Sequence, residues 1–420
     1  MKRLIDDKRV FFLIMEGLAL TLSGSLVSNY CLMFAIRMGA NSIHIALLSS
    51  LPPLVAILVL IPCGIIIEKM KDKRVVTCAL IGINSVFYLV IAFVPFIPNQ
   101  IRLIAYVILI GLMNWPGSLY ASTWQTFFSD SFSGESANRV FAMRSKYSSF
   151  LAIITVLIAG FILSSLPKND SDRIIIYQCF FVICFFTALL QIFFLSKLKS
   201  EGKKSVENPQ KEVMHYKIGD IKEIFINKKF MIFCWCSVVF HFGWQGCWPI
   251  LFIYNTHYVG VNEFQLGIIS VAMGLSSFAA YSLWSRFARR KGNSLVIIFG
   301  AFGLALNPFI YMRVWDFYIV VIINVIIGVA LAGFNLTLFC SLLEILPEKK
   351  KTVYIAFFNT LLSITGFTAP LVSIFIYGHL GIFITFFIFG CLRMLGTGMY
   401  AARWFLDNRN NNIAKRRCIG

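Results

Sequence analysis

The sequence predicts an all-α integral membrane protein whose twelve transmembrane helices form two pseudo-symmetric six-helix bundles, and three observations predict it. The first is composition: 58% of the 420 residues are apolar and 14% charged, against about a quarter charged in a soluble domain. A chain with 42 Phe and a mean hydropathy of +0.78 cannot hide its apolar surface in an aqueous fold, which excludes a water-soluble enzyme or binding module. The second is a series of apolar runs long enough to cross a bilayer, about 20 residues each. The third is an internal match between the two halves of the chain. Strands do not compete, because the runs are too long and lack alternation of apolar and polar residues.

The runs lie at 10–37, 43–67, 75–97, 101–128, 147–166 and 174–197, then at 230–255, 263–284, 294–312, 317–346, 353–378 and 382–405. The first is too long for a signal-peptide core and has no small-residue cleavage site, so it is expected to remain as a span. This gives an N-terminal bundle over 1–197, a cytoplasmic linker over 198–229, and a C-terminal bundle over 230–420 with a short basic tail. The linker mixes Lys, Glu, Gly, Asn and Pro. It reads as a solvated connector, or over 218–226 as a short amphipathic helix on the membrane surface.

The basic residues set the orientation. Of the 38 Lys and Arg, 32 fall in segments on the face that holds both termini, and five (Arg37, Arg102, Lys168, Arg173 and Arg313) fall on the other. By the positive-inside rule both termini are cytoplasmic, in the cytoplasmic membrane of the cell. The net charge of +19 therefore belongs to topology and to anionic lipid headgroups, not to nucleic acid. The 11 Cys include no CxxC and lie almost wholly within apolar runs. They read as small apolar side chains with neither disulfide nor metal role.

Sliding the chain on itself by 221 residues lays Gly39–Ser49 (GANSIHIALLS) on Gly260–Ser270 (GVNEFQLGIIS), with Gly, Asn and Ser coinciding. The same offset brings the turn at Gly64, Glu68 and Lys69 onto Ser285, Arg289 and Arg290. At a slightly shorter offset Asp130–Ala142 falls near Glu344–Ala356, an acidic helix end followed by a charged turn in both halves. Six spans repeated in the same orientation are what a parallel duplication would leave.

On these residues the chain resembles the Major Facilitator Superfamily of secondary transporters, over essentially its whole length. The family's diagnostic turn, approximately G-x-x-x-D-R-x-G-R-K between its second and third helices, is matched in kind here by Gly64, Glu68, Lys69, Lys73 and Arg74, with Lys71 in place of the second glycine. The second copy keeps that glycine as Gly292 but has Arg289 where the acid belongs, followed by Arg290. The resemblance implies the twelve-helix fold of that family and a cytoplasmic gate at these turns. There Glu68 would face the basic turn Lys349–Lys351, while Arg289 and Arg290 would face Asp130 and Glu135; Asp130 and Glu344 are expected to pair with loop bases. Simple enforcement of topology by the bases is the plainer alternative for the same residues.

The resemblance also implies that the first, fourth, seventh and tenth spans line a central cavity. In the seventh, His241, Trp244, Gln245 and Trp248 fall at i, i+3, i+4 and i+7, on one side of a helix. They line a wet cavity, or else Trp248 belongs to an interfacial aromatic belt and His241 packs internally. The fourth span carries Asn114, Ser118, Ser122, Gln125 and Ser129 on one stripe beside Trp115 and Trp124, and later spans offer Asn324, Asn335 and Asn359. Amides beside aromatic faces suit a small neutral or amphipathic organic solute, although helix-to-helix hydrogen bonding is the commoner fate of Ser and Asn in membranes.

Two ionisable residues stand well within spans. Glu16 lies about 9 Å into the first helix, where desolvation disfavours the charged carboxylate, making it the candidate for carrying a coupling proton. A Glu hydrogen-bonded to a neighbouring helix is the alternative. Arg393 sits mid-way along the twelfth span, with no role that the sequence supplies.

The chain lacks the fifth-helix G-x-x-x-G-P-x-x-G-G pattern and the mid-fourth-helix arginine of the family's proton-antiporting drug exporters, which weakens a multidrug or metabolite efflux pump as the alternative within the family. A non-transporting membrane sensor or assembly partner on the same fold is the alternative from another class. No HExxH, paired intramembrane acids or G-x-x-x-x-G-K-[ST] loop occurs, so neither enzymatic chemistry nor a cofactor is expected. The expected partners are a small-molecule substrate, a coupling proton and membrane lipids, with the monomer as the functional unit.

Overall fold

The computed structural model describes residues 8–68, 72–131, 134–198, 224–347 and 351–417. Twelve helices among them are long and apolar enough to cross a membrane. They are α1 (Lys8–Arg37), α2 (Ser42–Glu68), α3 (Lys73–Phe93), α4 (Asn99–Ser131), α5 (Gly134–Ser165) and α6 (Asp170–Lys197), followed by α7 (Lys228–Ile253), α8 (Glu263–Lys291), α9 (Asn293–Tyr311), α10 (Phe317–Ile345), α11 (Lys351–Leu380) and α12 (Ile382–Arg417). No strand occurs among the described residues. In a bilayer every backbone N–H and C=O must find its partner within the protein, and a long helix does this within its own segment.

Helix starts follow local chemistry. Asp72, Asn169, Asn227 and Asp316 each accept backbone N–H groups that the first turns of α3, α6, α7 and α10 leave without an intrahelical partner. The apolar runs understate two helices. α5 begins thirteen residues before the run at 147 and α12 continues well past 405, because charged residues end an apolar run without ending a helix.

The chain divides into two compact units, Met1–Val213 with Asn262–Gly267, and Met214–Val261 with Ile268–Gly420. In the first, α1 packs on α5 and α6, α3 on α4 and α6, and α2 on α4. In the second, α7 packs on α11 and α12, and α9 on α10 and α12. Ser277 and Trp284 of α8 donate to the carbonyls of Gly328 and Val329 on α10. Each pairing in one unit thus has its counterpart in the other, six helices further on, as a duplicated bundle should.

The repeat is visible at atomic detail in one turn. Gly39 (φ 92°) and Gly260 (φ 73°), aligned by the 221-residue offset, both adopt the left-handed backbone that glycine enters without strain. Two residues on, Asn41 accepts from the backbone N–H of Ile43 and His44, and Asn262 accepts from that of Gln265, each starting the following helix.

Candidate functional site

In the first unit the central feature is Glu16 of α1. Its side chain is completely enclosed. Oε2 accepts from Arg144 Nε at 3.2 Å and Nη2 at 3.0 Å; Oε1 accepts from Gln191 Nε2 at 2.8 Å and the Tyr120 hydroxyl at 3.2 Å. Gln191 Nε2 also donates to the Tyr120 oxygen at 2.9 Å, closing a ring of bonds across α1, α4 and α6. Arg144 reaches in from α5 and lies over the Trp124 indole at 4.3 Å, a cation–π contact that its delocalised charge favours. The arm crosses Gly17, where a Cβ would overlap the Arg144 Nε and Cγ, so glycine is what lets the pair form. Beside the ring is a cavity of about 20 Å³, bordered by Ser23, Asn84, Tyr88, Tyr120 and Gln191. That is room for one water among polar partners.

Arg144 is the residue that sequence reasoning misplaced. With Arg139 and Lys146 it reads as a loop base before the fifth run, yet it lies inside α5 with its side chain only 11% exposed. A signal was present in that an enclosed acid requires a base, but Arg139 and Lys146 compete for the role in the sequence. At the opposite end of α1, Arg37 donates to the fully buried Glu263 at 2.8 Å and to Asp170 at 3.2 Å, and Asp170 also pairs with Arg173 at 2.8 Å. Arg37 and Arg173 are therefore structural ion-pair partners.

In the second unit, the α7 stripe divides by exposure. His241 is buried, and its Nδ1 donates to the Ser237 carbonyl at 2.8 Å, so it is satisfied by its own helix. Trp248 is 60% exposed. Between them Trp244 and Gln245 are half-buried. The Trp244 ring meets Phe334 of α10 edge-on at 5.6 Å and His241 at 5.4 Å. Gln245 Oε1 accepts from Thr365 at 2.6 Å, and its Nε2 donates to the Leu362 carbonyl at 3.4 Å. Asn335 and Asn359 are exposed on α10 and α11, next in sequence to the buried Phe334 and Phe358. On α4, Asn114 is half-buried and accepts from Ser118 at 2.8 Å. Asn324 is buried and spends its amide on the Tyr311 hydroxyl and the Val320 carbonyl, a packing role.

The turn residues are only partly described. Gly64 and Glu68 lie in α2, Asp130 and Gln125 in α4 and Glu135 in α5, but the side chains of Glu68, Asp130, Gln125 and Glu135 fall outside the described residues, as do Lys69, Lys349, Lys350 and the Lys351 side chain. Lys73 opens α3. Arg74 donates to the Ser196 and Leu198 carbonyls at 3.3 and 2.9 Å and sits 3.5 Å from Asp72, tying the start of α3 to the end of α6. Gly292 (φ 87°) makes the turn into α9, and Arg289 and Arg290 are exposed. Glu344 accepts from the Asn293 side chain at 2.7 Å, so its described partner is an amide at the start of α9, where a loop base was expected. No cluster of His, Cys, Asp or Glu that could hold a metal occurs among the described residues.

A family model described as Major Facilitator Superfamily matches residues 10–244 and 233–417. No curated protein matches the chain. Among solved structures the chain is similar to the nucleoside transporter NupG, with TM-score 0.70, 14% identity, and coverage of 95% of this chain and 99% of that one. It is likewise similar to a D-xylose–proton symporter, with TM-score 0.70, 12% identity, and 94% and 96% coverage. A third match is a bacterial homologue of the human lysosomal transporter Spinster, in an inward-facing, unoccupied conformation, with TM-score 0.67, 11% identity, and 95% and 97% coverage. At these identities the likeness is one of fold.

Proposed function

The chain belongs to the Major Facilitator Superfamily, a family of membrane transporters and not of enzymes, and from that premise we propose that it moves a small neutral or amphipathic organic solute by alternating access, driven by a proton carried on Glu16. The enclosed Glu16–Arg144 pair is the observation that carries this reading. A carboxylate with four donors and no water-exposed surface is stable as an anion only while Arg144 stays beside it. A proton arriving at Oε1 or Oε2 removes that charge, turns the acid into a donor, and frees Arg144 to shift against Trp124. Such a change alters how α1, α4, α5 and α6 are tied together, which is what coupling requires. The adjoining one-water cavity offers a site from which a proton can reach the ring.

The neutral solute follows from charge accounting. Within the described spans Glu16 is neutralised by Arg144, and Arg393 is enclosed. The half-buried or exposed polar groups at mid-helix positions include the amides and indole of Asn114, Trp244, Gln245, Asn335 and Asn359. Amides read hydroxyl and ring-nitrogen patterns, and the indole face takes an apolar or planar surface. Nucleosides and pentoses, named for two of the structural neighbours, are the first solutes to try. The distribution of bases supports cytoplasmic termini.

The test is flux of radiolabelled nucleosides and pentoses into proteoliposomes, with and without an imposed pH gradient. Wild-type protein should accumulate one of these solutes only with the gradient. Glu16→Gln keeps shape and much of the hydrogen bonding but cannot titrate, so it should retain solute exchange while losing gradient-driven accumulation. Normal accumulation by that variant ends the coupling role of Glu16.

A further inference from the structure

Arg393 lies near the middle of the apolar span Ile382–Asn408 of α12 and is 1% exposed. It has no carboxylate within ion-pair distance among the described residues. Of the described acids of the second unit, Asp316 and Glu344 sit at the two ends of α10, and Asp407 lies fourteen residues along α12 from Arg393, beside Arg403. The guanidinium is held by main-chain carbonyls instead: Nε donates to Gly243 at 3.2 Å, Nη2 to Trp244 at 3.2 Å, and Nη1 to Leu304 at 2.8 Å. Two acceptors are consecutive residues of α7, and the third is on α9. A planar fork of donors can satisfy this arrangement, whereas an ammonium on a flexible stem cannot reach all three at once.

The place where Arg393 grips α7 is special in two ways. At Gly243 a Cβ would come within 2.9 Å of the Arg393 Cγ and backbone N, so glycine permits the approach. Just beyond it, Pro249 has no N–H to give the Gln245 carbonyl, which leaves α7 short of a bond at the turn that carries Trp244 and Gln245. Five residues after Pro249 the helix loosens again, into a π-turn over Tyr254–Tyr258. An enclosed arginine without an acid is an expensive feature for a membrane protein to keep; here it satisfies the Leu304 carbonyl of α9, which Pro308 leaves without an intrahelical donor, and at the same time grips α7 beside the half-buried indole and amide.

We propose that Arg393 is a positioning residue for the solute-facing part of α7, fixing the Gly243 and Trp244 peptides so that Trp244 and Gln245 are presented in one orientation; this rests on the reading of those two side chains as solute contacts. It acts through the backbone and does not touch solute.

Hydrogen exchange of the full-length purified protein tests it without any solute. Arg393→Lys keeps the charge but loses the fork, and Gly243→Ala keeps Arg393 but pushes its side chain off the carbonyls. Both should speed exchange of the amides of 244–248 and 250 at least tenfold while α10 stays within twofold of wild type, and Arg393→Met should do so more strongly. Unchanged exchange of these amides in Arg393→Lys and Gly243→Ala overturns the proposal, and so does a uniform rise across the second unit, which would mark a residue that only holds the bundle together. Failure of all three variants to fold would overturn it for the same reason. Flux by Gln245→Ala reads the solute contact while leaving the Arg393 bonds in place, so that reading and the brace can fail separately.

Discussion

At Glu16 the protein encloses a carboxylate and surrounds it with donors from α4, α5 and α6. The energetic consequence is asymmetric. Removing one partner of a buried pair strands the other charge and costs about 3–5 kcal/mol, whereas replacing both by neutral groups is close to neutral. Arg144→Gln should therefore lower the thermal unfolding temperature of the purified protein more than the Glu16→Gln, Arg144→Gln double variant does. Strictly additive losses in the double-variant cycle would mean that the two side chains do not act as a pair. Glu16 was legible as an anomaly from its depth in an apolar run. Its partner was not, because 128 residues separate them and a basic residue before a span looks the same whether it faces solvent or an acid.

Among the helices, α2 and α8 start from matched turns, and the match extends to backbone conformation. A Cβ at Gly39 or Gly260 would meet nothing within 4 Å, so replacing either by Ala introduces no clash. What it introduces is an L-residue in the left-handed region, costing about 1–2 kcal/mol. Gly39→Ala and Gly260→Ala should each lower thermal stability by a similar amount. A loss at one turn and none at the other would show that the duplicated turns have diverged energetically. The α7 stripe teaches a different lesson about elements. Helical periodicity puts four side chains on one side of α7, but it cannot say how deep each of them lies. Packing against α10 and α12 buried His241 and left Trp248 exposed, so one stripe serves three environments.

For the whole molecule, the charge asymmetry gives a prediction independent of any site. A single Cys at position 168, in the short connection between α5 and α6, should react with a membrane-impermeant maleimide in intact cells. A single Cys at position 291, at the end of α8, should react only after permeabilisation. Labelling of both from outside, or of 291 alone, would reverse or break the proposed topology.

The sequence by itself determined the twelve spans, the duplicated order of helices, the family and the anomalous positions of Glu16 and Arg393, because each is written in local composition, in periodicity or in a fixed offset along the chain. The tertiary structure decided who meets whom: Arg144 on Glu16, Glu263 on Arg37, Asn293 on Glu344, and the Gly243, Trp244 and Leu304 carbonyls on Arg393. The physical reason is that membrane helices are apolar on nearly every side, so hydropathy sets their number and length but only weakly their rotation. Which face turns inward is chosen by close glycine contacts and a few buried polar bonds. The acceptors for Arg393 are peptide carbonyls, which every residue possesses and no sequence pattern marks.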